Sequence, residues 1–433
     1  MLKVLEGGTE RNADEVVGPT LDELAREGAQ RMIRAALKVE VEDYLARHAE
    51  ARDPVTGRAQ VVANGKGKPR QVTTGAGTFR VQAPRVNDMR VDDSGERMRF
   101  RSKILPPYLR RSAKVTEVLP ILYLRGLSTG DFQEALSSLL GEDASGLSPS
   151  AITKLTAGWR ADYDLWRKRP ITAEYVYVWA DGVHFNIRLE EDRLAALVVI
   201  GVRTDGTKEL LAIEDGYRES TEGWSSVLRE LKARGMKAPM VAVGDRALGF
   251  WAACSAVWPA TREANCWVHR IANVLDKLPQ RLQPRAKRAL HDMMYADTRA
   301  ACELEMAKFV EEFKTKYPKA VESLTANAER LVVHFDFPAQ HWKHLRTTNP
   351  IESSFATVKL RTRTTKGAGS RSAGLTMAFK LLEVAAGHWR KLDGGYQLLQ
   401  QVRDGIKFED GKTIEDVKTT NTINNQEAQK VAA

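Results

Sequence analysis

The run Glu174-Tyr-Val-Tyr-Val-Trp-Ala180, closed by Asp181-Gly182, constrains this chain more than any other stretch. It is too short for an ordinary helix and rich in β-branched and aromatic residues, so it reads as a buried β-strand that delivers Asp181 at its tip. The arrangement recurs. Met240-Val-Ala-Val-Gly244 has the unbroken apolar character of a strand covered on both faces, and the next residue is Asp245. A third acid, Glu352, stands in Thr347-Thr-Asn-Pro-Ile-Glu352, where Asn349 can cap a helix, Pro350 suits its first position and Glu352 falls in the first turn.

The elements between these acids predict an α/β core. Leu194–Val202 and Glu209–Glu214 are strands joined by the hairpin signal Thr204-Asp-Gly-Thr207, and a helix follows over Thr221–Arg234. The Asp245 strand, a helix over Leu248–Val257 and a strand over Glu263–Val268 come next, then an almost wholly helical stretch to about Lys343. Three antiparallel strands followed by alternating helices and strands match a ribonuclease H-like sheet, in which acids at strand ends gather on one edge. Each acid also has a structural reading. Asp181 suits a hairpin turn, Asp245 suits a helix cap, and Glu352 suits a capping box with Asn349.

Together the three acids suit phosphodiester chemistry. Two divalent ions about 3.5–4 Å apart can stabilise the attacking oxygen, the leaving oxygen and the growing phosphate charge. Carboxylates are the usual ligands for such hard ions, so Asp181 is expected to bridge two Mg²⁺ ions, with Asp245 and Glu352 completing one site each; Mn²⁺ is expected to substitute. Lys359 lies two turns beyond Glu352 on nearly the same helix face, where it can hold a polyanion beside the metals. Cys266-x-x-His269 has no second pair at finger spacing, so no structural zinc is expected, and His269 can contact either a substrate phosphate or the backbone.

A formal net charge of +10 favours a polyanionic partner, with nucleic acid first. Arg99, Arg101, Lys103, Arg110 and Arg111 crowd together and interleave with Phe100 and Tyr108, as expected of a phosphate-tracking patch. Predicted helices over Val115–Leu124, Ser128–Leu140 and Ser148–Trp166 follow with short connections and resemble a helix-turn-helix unit. Its last helix would offer Ser150, Thr153, Lys154 or Arg160 to DNA. Before it, an amphipathic helix runs from a capping box at Thr20 and Glu23 to about Leu45, serving packing or dimerisation. Three scattered cysteines and no long apolar run point to a reducing, soluble compartment with no membrane partner.

Five motifs together resemble one family, the Mutator-like bacterial insertion-sequence transposases. They are Ala180-Asp-Gly-Val-His184, Glu214-Asp-Gly-Tyr-Arg-Glu-Ser220, Val243-Gly-Asp245 with Ala247-Leu-Gly-Phe-Trp251, Cys266-Trp-Val-His269, and Leu345-Arg-Thr-Thr-Asn-Pro-Ile-Glu-Ser353. The resemblance runs from the Thr20 helix to about Trp389. It implies a ribonuclease H-like catalytic core with an all-α insertion, preceded by mainly helical DNA-binding domains. It also implies an Asp181, Asp245, Glu352 triad that cuts double-stranded DNA at terminal inverted repeats and joins the 3′-hydroxyl to target DNA. Cys266 and His269 would lie on the last core strand and, with Lys359 and Arg246, contact DNA at the active site; Arg361 and Arg363 would bind DNA farther along. A homodimer on DNA, in the bacterial cytoplasm at the nucleoid, is implied as well. Arg246 stands where close relatives are expected to carry a small residue, and Phe355 where distant ones carry Asn.

The expected organisation is a flexible arm over 1–19, a helical and small-hairpin region over 20–110 and the helix-turn-helix-like domain over 111–170. The core follows over 171–270 and 345–400, interrupted by the all-helical insertion over 271–344, and a disordered polar tail fills 401–433. Two other functions fit the same residues, a non-catalytic DNA-binding relic and a hydrolytic ribonuclease H-like nuclease. Strand joining separates the second from a transposase.

Overall fold

The computed structural model describes residues 20–124, 134, 140, 149–187, 193–216, 220–245, 248–364 and 367–415. The chain forms two compact units that meet in sequence at Ile152 and Thr153. In the first, helix α1 (Leu21–Arg47) opens with the expected capping box, the Thr20 hydroxyl accepting from the Glu23 amide and the Glu23 carboxylate from the Thr20 amide. Strands β1 (Val61–Lys66) and β4 (Pro84–Asp88) pair around the hairpin of β2 (Arg70–Thr74) and β3 (Gly77–Val81), before α2 (Ala113–Leu124). Leu37 of α1 packs with Val72, Phe79, Val81 and Leu105 to form a small core. This unit is therefore mixed rather than mainly helical. The Gly- and Lys-rich stretch after Gly57 reaches into β1, where pairing to β4 compensates for weak local strand preference.

The second unit is built on one five-stranded sheet. Its strands are β5 (Tyr175–Phe185), β6 (Leu194–Arg203), β7 (Lys208–Gly216), β8 (Val241–Gly244) and β9 (Arg262–Asn265), in the order β7-β6-β5-β8-β9. Antiparallel pairs join β5, β6 and β7, whereas β8 runs parallel to β5 and β9 parallel to β8. This is the ribonuclease H-like order expected from the sequence. Every residue of β6 up to Val202 is buried, because helices cover both faces. The β6–β7 turn is Thr204–Thr207, with Gly206 at a φ of 83°, a value costly for a residue with a Cβ.

Chain parity assigns the two faces. Val178 and Ala180 join Trp224, Leu228, Phe250 and Trp251 in the core beneath α4 (Thr221–Ala233) and α5 (Leu248–Val257). Tyr177 and Trp179 point the other way, to His341 Nδ1 at 2.9 Å and the His344 carbonyl at 2.9 Å. Asp181 shares their parity and so lies on that second face. The tryptophans at 224, 251 and 258 are all buried core residues.

After β9 come α6 (Trp267–Leu275), α7 (Gln283–Met294), α8 (Arg299–Phe313) and α9 (Pro318–Thr325), then short 3₁₀ turns. They enclose a core of their own containing Trp267, Leu290, Met293, Phe309 and Phe335. The chain returns as α10 (Asn349–Thr364), packed on β5, and α11 (Arg371–Ala386), packed on β6 and β7. Helix α3 (Pro149–Arg167) lays Tyr163 and Trp166 against Phe379 of α11.

Four local expectations are corrected. Asp181 is not at a strand tip: β5 continues through Asp181-Gly182 to Phe185 because β6 goes on pairing with it. Strand β9 stops at Asn265, and Cys266 is the N-cap of α6, so His269 lies in a helical first turn rather than on a strand. Asn349 is the first residue of α10 and not its cap. The expected tail holds regular structure within 401–415: α12 (Gly395–Arg403) leads to a hairpin of β10 (Phe408–Glu409) and β11 (Lys412–Thr413). Asp410 and Gly411 take φ values of 47° and 81° at its turn, and the Asp410 carboxylate accepts from the Arg299 amide at 2.7 Å.

Candidate active site

Strand register brings the first two acids together. Ala180 pairs with Gly244 in the last parallel step between β5 and β8, so Asp181 and Asp245 are the next residues on adjacent strands. Gly244 in turn pairs with Asn265, which places Cys266 third in the row, and the Cys266 amide donates to the Gly244 carbonyl at 2.9 Å. The Asp181 carboxylate accepts the Gly182 amide at 2.8 Å.

Glu352 is delivered from far along the chain by a threonine that sequence patterns alone do not single out. The fully buried Thr348 donates its amide to the Cys266 sulfur at 3.3 Å, and its hydroxyl oxygen lies 3.2 Å from the same sulfur. Its hydroxyl also bonds the Glu352 carboxylate, and its carbonyl accepts the Glu352 amide at 3.0 Å. Close by, the Trp267 amide donates to the Arg346 carbonyl at 2.8 Å. These bonds fasten the start of α10 to the end of β9, and so hold Glu352 at the sheet edge. The only sequence signal is a polar pair, Thr347-Thr348, before a helix-starting Pro350.

His269 sits among these groups. Its Nδ1 is 3.9 Å from Asp245 Oδ1, 3.8 Å from Glu352 Oε1 and 3.4 Å from the Thr348 hydroxyl. Its pKa is pushed up to about 9, chiefly by hydrogen bonding with Cys266 and then by the charges of Cys266, Asp245 and Glu352, against the opposing effect of burial. That shift favours the protonated imidazole between the two acids. Cys266 itself is buried, so the expected DNA contact at this position is replaced by a role inside the protein, anchoring Thr348.

The donor set suits a hard divalent ion. Asp181 and Asp245 leave the same sheet edge, and Asp245 and Glu352 keep about a third of their side-chain surface exposed, at 34% and 33%. A second set of donors overlaps with it: one ligand atom each from Cys266, His269 and Glu352 lie within 4.8 Å of one another.

A cleft of about 450 Å³ opens beyond the acids, lined by His184, Phe185 and Asn186 of the β5 end, Arg193, and Lys359, Thr362 and Arg363 of α10. It joins the expected Lys359 and Arg363 to Arg193 and His184, which sequence reasoning misses because only folding brings the β5–β6 end beside α10. Arg361 departs from expectation: it is 3% exposed and turns into the protein, since its α10 position shares the face of Val358. Arg99, Arg101, Lys103 and Arg110 are exposed in the first unit, and Arg111 is half-buried. Lys154 and Arg160 are exposed on α3. Arg246, the side chains of Ser150 and Thr153, and nearly all of Ser128–Leu140 lie outside the described residues.

A family model described as "Transposase, Mutator family" matches residues 3–391. The transposase for insertion sequence element IS6120 of Mycolicibacterium smegmatis is 49% identical over 302 residues, covering 70% of this chain and 93% of that relative. The transposase for insertion sequence element IST2 of Acidithiobacillus ferrooxidans is 43% identical over 288 residues, covering 64% and 95%. The solved HTLV-2 integrase catalytic core in complex with magnesium aligns with 28% of this chain and 84% of its own, at 17% identity and a TM-score of 0.17, too slight a match to bear weight.

Proposed function

This chain belongs to the Mutator family of transposases, DNA-cutting and DNA-joining enzymes, and from that premise we propose that Asp181, Asp245 and Glu352 are its catalytic triad. The observation that carries the proposal is the convergence of Asp245 and Glu352 on one imidazole, with Asp181 beside Asp245 on the next strand. The three carboxylates would hold two Mg²⁺ ions, with Mn²⁺ as a substitute; when bound, the ions lower the cost of charge on the attacking and leaving oxygens.

The chain's own residues do the rest. His269 brings a positive charge to the edge where the scissile phosphate must approach, and Thr348 keeps Glu352 oriented toward it. Lys359, Arg363 and Arg193 receive phosphates of the strand leaving the acids along the cleft. The basic residues Arg99, Arg101, Lys103 and Arg110, with Thr153, Lys154 and Arg160 on the helix-turn-helix-like region, bind the terminal inverted repeats. A homodimer synapses two ends, the 3′-hydroxyl of a cut end then joins target DNA by transesterification, and the enzyme works at the bacterial nucleoid. Among the described residues no helix is long and apolar enough to cross a membrane.

The test is strand cleavage and joining on a duplex carrying the element's end, with Mg²⁺, comparing the intact chain with Asp181→Ala, Asp245→Ala and Glu352→Ala. Metal-dependent activity abolished by each change, with DNA binding retained, supports the proposal. Binding without cutting under any metal favours a relic; cutting without joining favours a nuclease; undiminished cutting by the variants removes the triad.

A further inference from the structure

The donors at the sheet edge are of two chemical kinds. Carboxylates alone suit magnesium, but Glu352 Oε1 also belongs to a group with a thiol sulfur and an imidazole nitrogen, all within 4.8 Å. Sulfur and imidazole are zinc-class ligands that magnesium does not favour. Asp245 Oδ1, at 3.9 Å from His269 Nδ1, stands beside this group of three but outside it. The Cys266 sulfur is held beside the group by the Thr348 amide, 3.3 Å away.

We propose that Cys266, His269 and Glu352, with solvent as fourth ligand, form a binding site for a thiophilic divalent cation of the zinc class, and that its occupancy shuts off magnesium-dependent DNA cleavage. Zinc–ligand bonds of about 2.0–2.3 Å in a tetrahedron put the donor atoms roughly 3.5 Å apart, so side-chain movements of about 1 Å close the site. Binding expels the thiol proton, and any proton on the ligating imidazole nitrogen, to solvent. Two consequences follow. Zinc, above magnesium in affinity for any nitrogen and sulfur set, wins the site even when magnesium is in excess. The occupied site also withdraws Glu352 from the triad. The finger spacing that argues against a structural zinc does not bear on this site, because Glu352 comes from far away in the sequence.

The inhibitory consequence rests on the proposed triad, whereas the binding itself does not, and the experiment separates them. The full chain is titrated with Co²⁺ as a spectroscopic stand-in for zinc. A near-ultraviolet sulfur-to-cobalt charge-transfer band with strong tetrahedral bands in the visible is expected. Cys266→Ser should abolish the charge-transfer band, and Cys254→Ser and Cys302→Ser should keep it. Glu352→Gln should keep the band while weakening Co²⁺ by at least the roughly 10–100-fold that follows loss of a supporting group. Circular dichroism of each variant separates loss of the site from loss of the fold. Zinc added to the Mg²⁺ cleavage assay should inhibit the intact chain and spare the residual activity of Cys266→Ser. Absence of the charge-transfer band, its survival in Cys266→Ser, or equal zinc inhibition of both proteins would overturn the site. If the intact chain never cuts DNA in Mg²⁺, the triad fails while the cobalt spectra still decide the binding.

Discussion

Asp181 and Asp245 are the first residues beyond the last parallel pair of β5 and β8, Ala180 with Gly244. Up to that step each strand is clamped by its neighbour; one residue later β8 has ended and β5 keeps only β6. The two carboxylates therefore start from adjacent backbones held by the sheet, the precision that a shared ion demands.

Isosteric neutralisation should impair cleavage far more than binding. Asp181→Asn, Asp245→Asn and Glu352→Gln are each expected to lower strand cleavage by on the order of 10³-fold or more, with affinity for end DNA nearly unchanged. Single-turnover cleavage set against a gel-shift titration checks this; parallel losses in both would point to misfolding.

Thr348→Val keeps the shape of a fully buried side chain and the backbone amide that reaches the Cys266 sulfur, but takes from the Glu352 carboxylate the hydroxyl that bonds it. A loss of about 1–3 kcal/mol in unfolding free energy is expected, with a fall in cleavage rate as Glu352 loses its orientation. Denaturant titration reads the first and kinetics the second.

The cleft residues should act on DNA affinity by charge. Lys359→Ala with Arg363→Ala is expected to weaken binding evenly across sequences and to reduce the slope of log affinity against log salt by roughly 1 for each phosphate no longer neutralised. Arg361→Ala should leave that slope alone and destabilise the fold, because Arg361 is buried.

Acid should loosen the segment ahead of α10. Burial holds His334 down to about 3 and His341 down to about 4, from an ordinary value of 6.5. A histidine depressed in the folded state contributes stability fully above pH 6.5, and that contribution is lost as pH falls toward the folded value. By pH 5 each should have lost about 2 kcal/mol. Unfolding free energies at pH 8 and pH 5 test this, and His334→Gln should shrink the difference.

Three Asp-Gly pairs show how much of this is legible in the sequence and where local signals run out. Asp205-Gly206 reads as a hairpin turn and is one. Asp181-Gly182 carries the same signal but lies inside β5, because β6 continues to pair alongside it and tertiary pairing overrides local preference. Asp410-Gly411 is hidden within a polar stretch, yet it turns a hairpin whose Phe408 is buried and whose Gly411 carbonyl accepts the Ala339 amide. The proposed triad is legible because each acid follows an unbroken apolar run or opens a helix. Thr348 and Arg193 are not, since what they do depends on partners brought close only by folding.

The bond from the Trp267 amide to the Arg346 carbonyl means that the helical insertion leaves and rejoins the sheet at one point. It is a parenthesis in the chain, closed by a single backbone bond beside Cys266 and Thr348. Near its closing end His341 and His344 bond Tyr177 and Trp179 of β5, so that part of the bracket is tied to the sheet while helices α7 to α9 keep a core of their own. A chimaera that exchanges helices α7 to α9 between relatives, keeping His341 and His344, should therefore still fold.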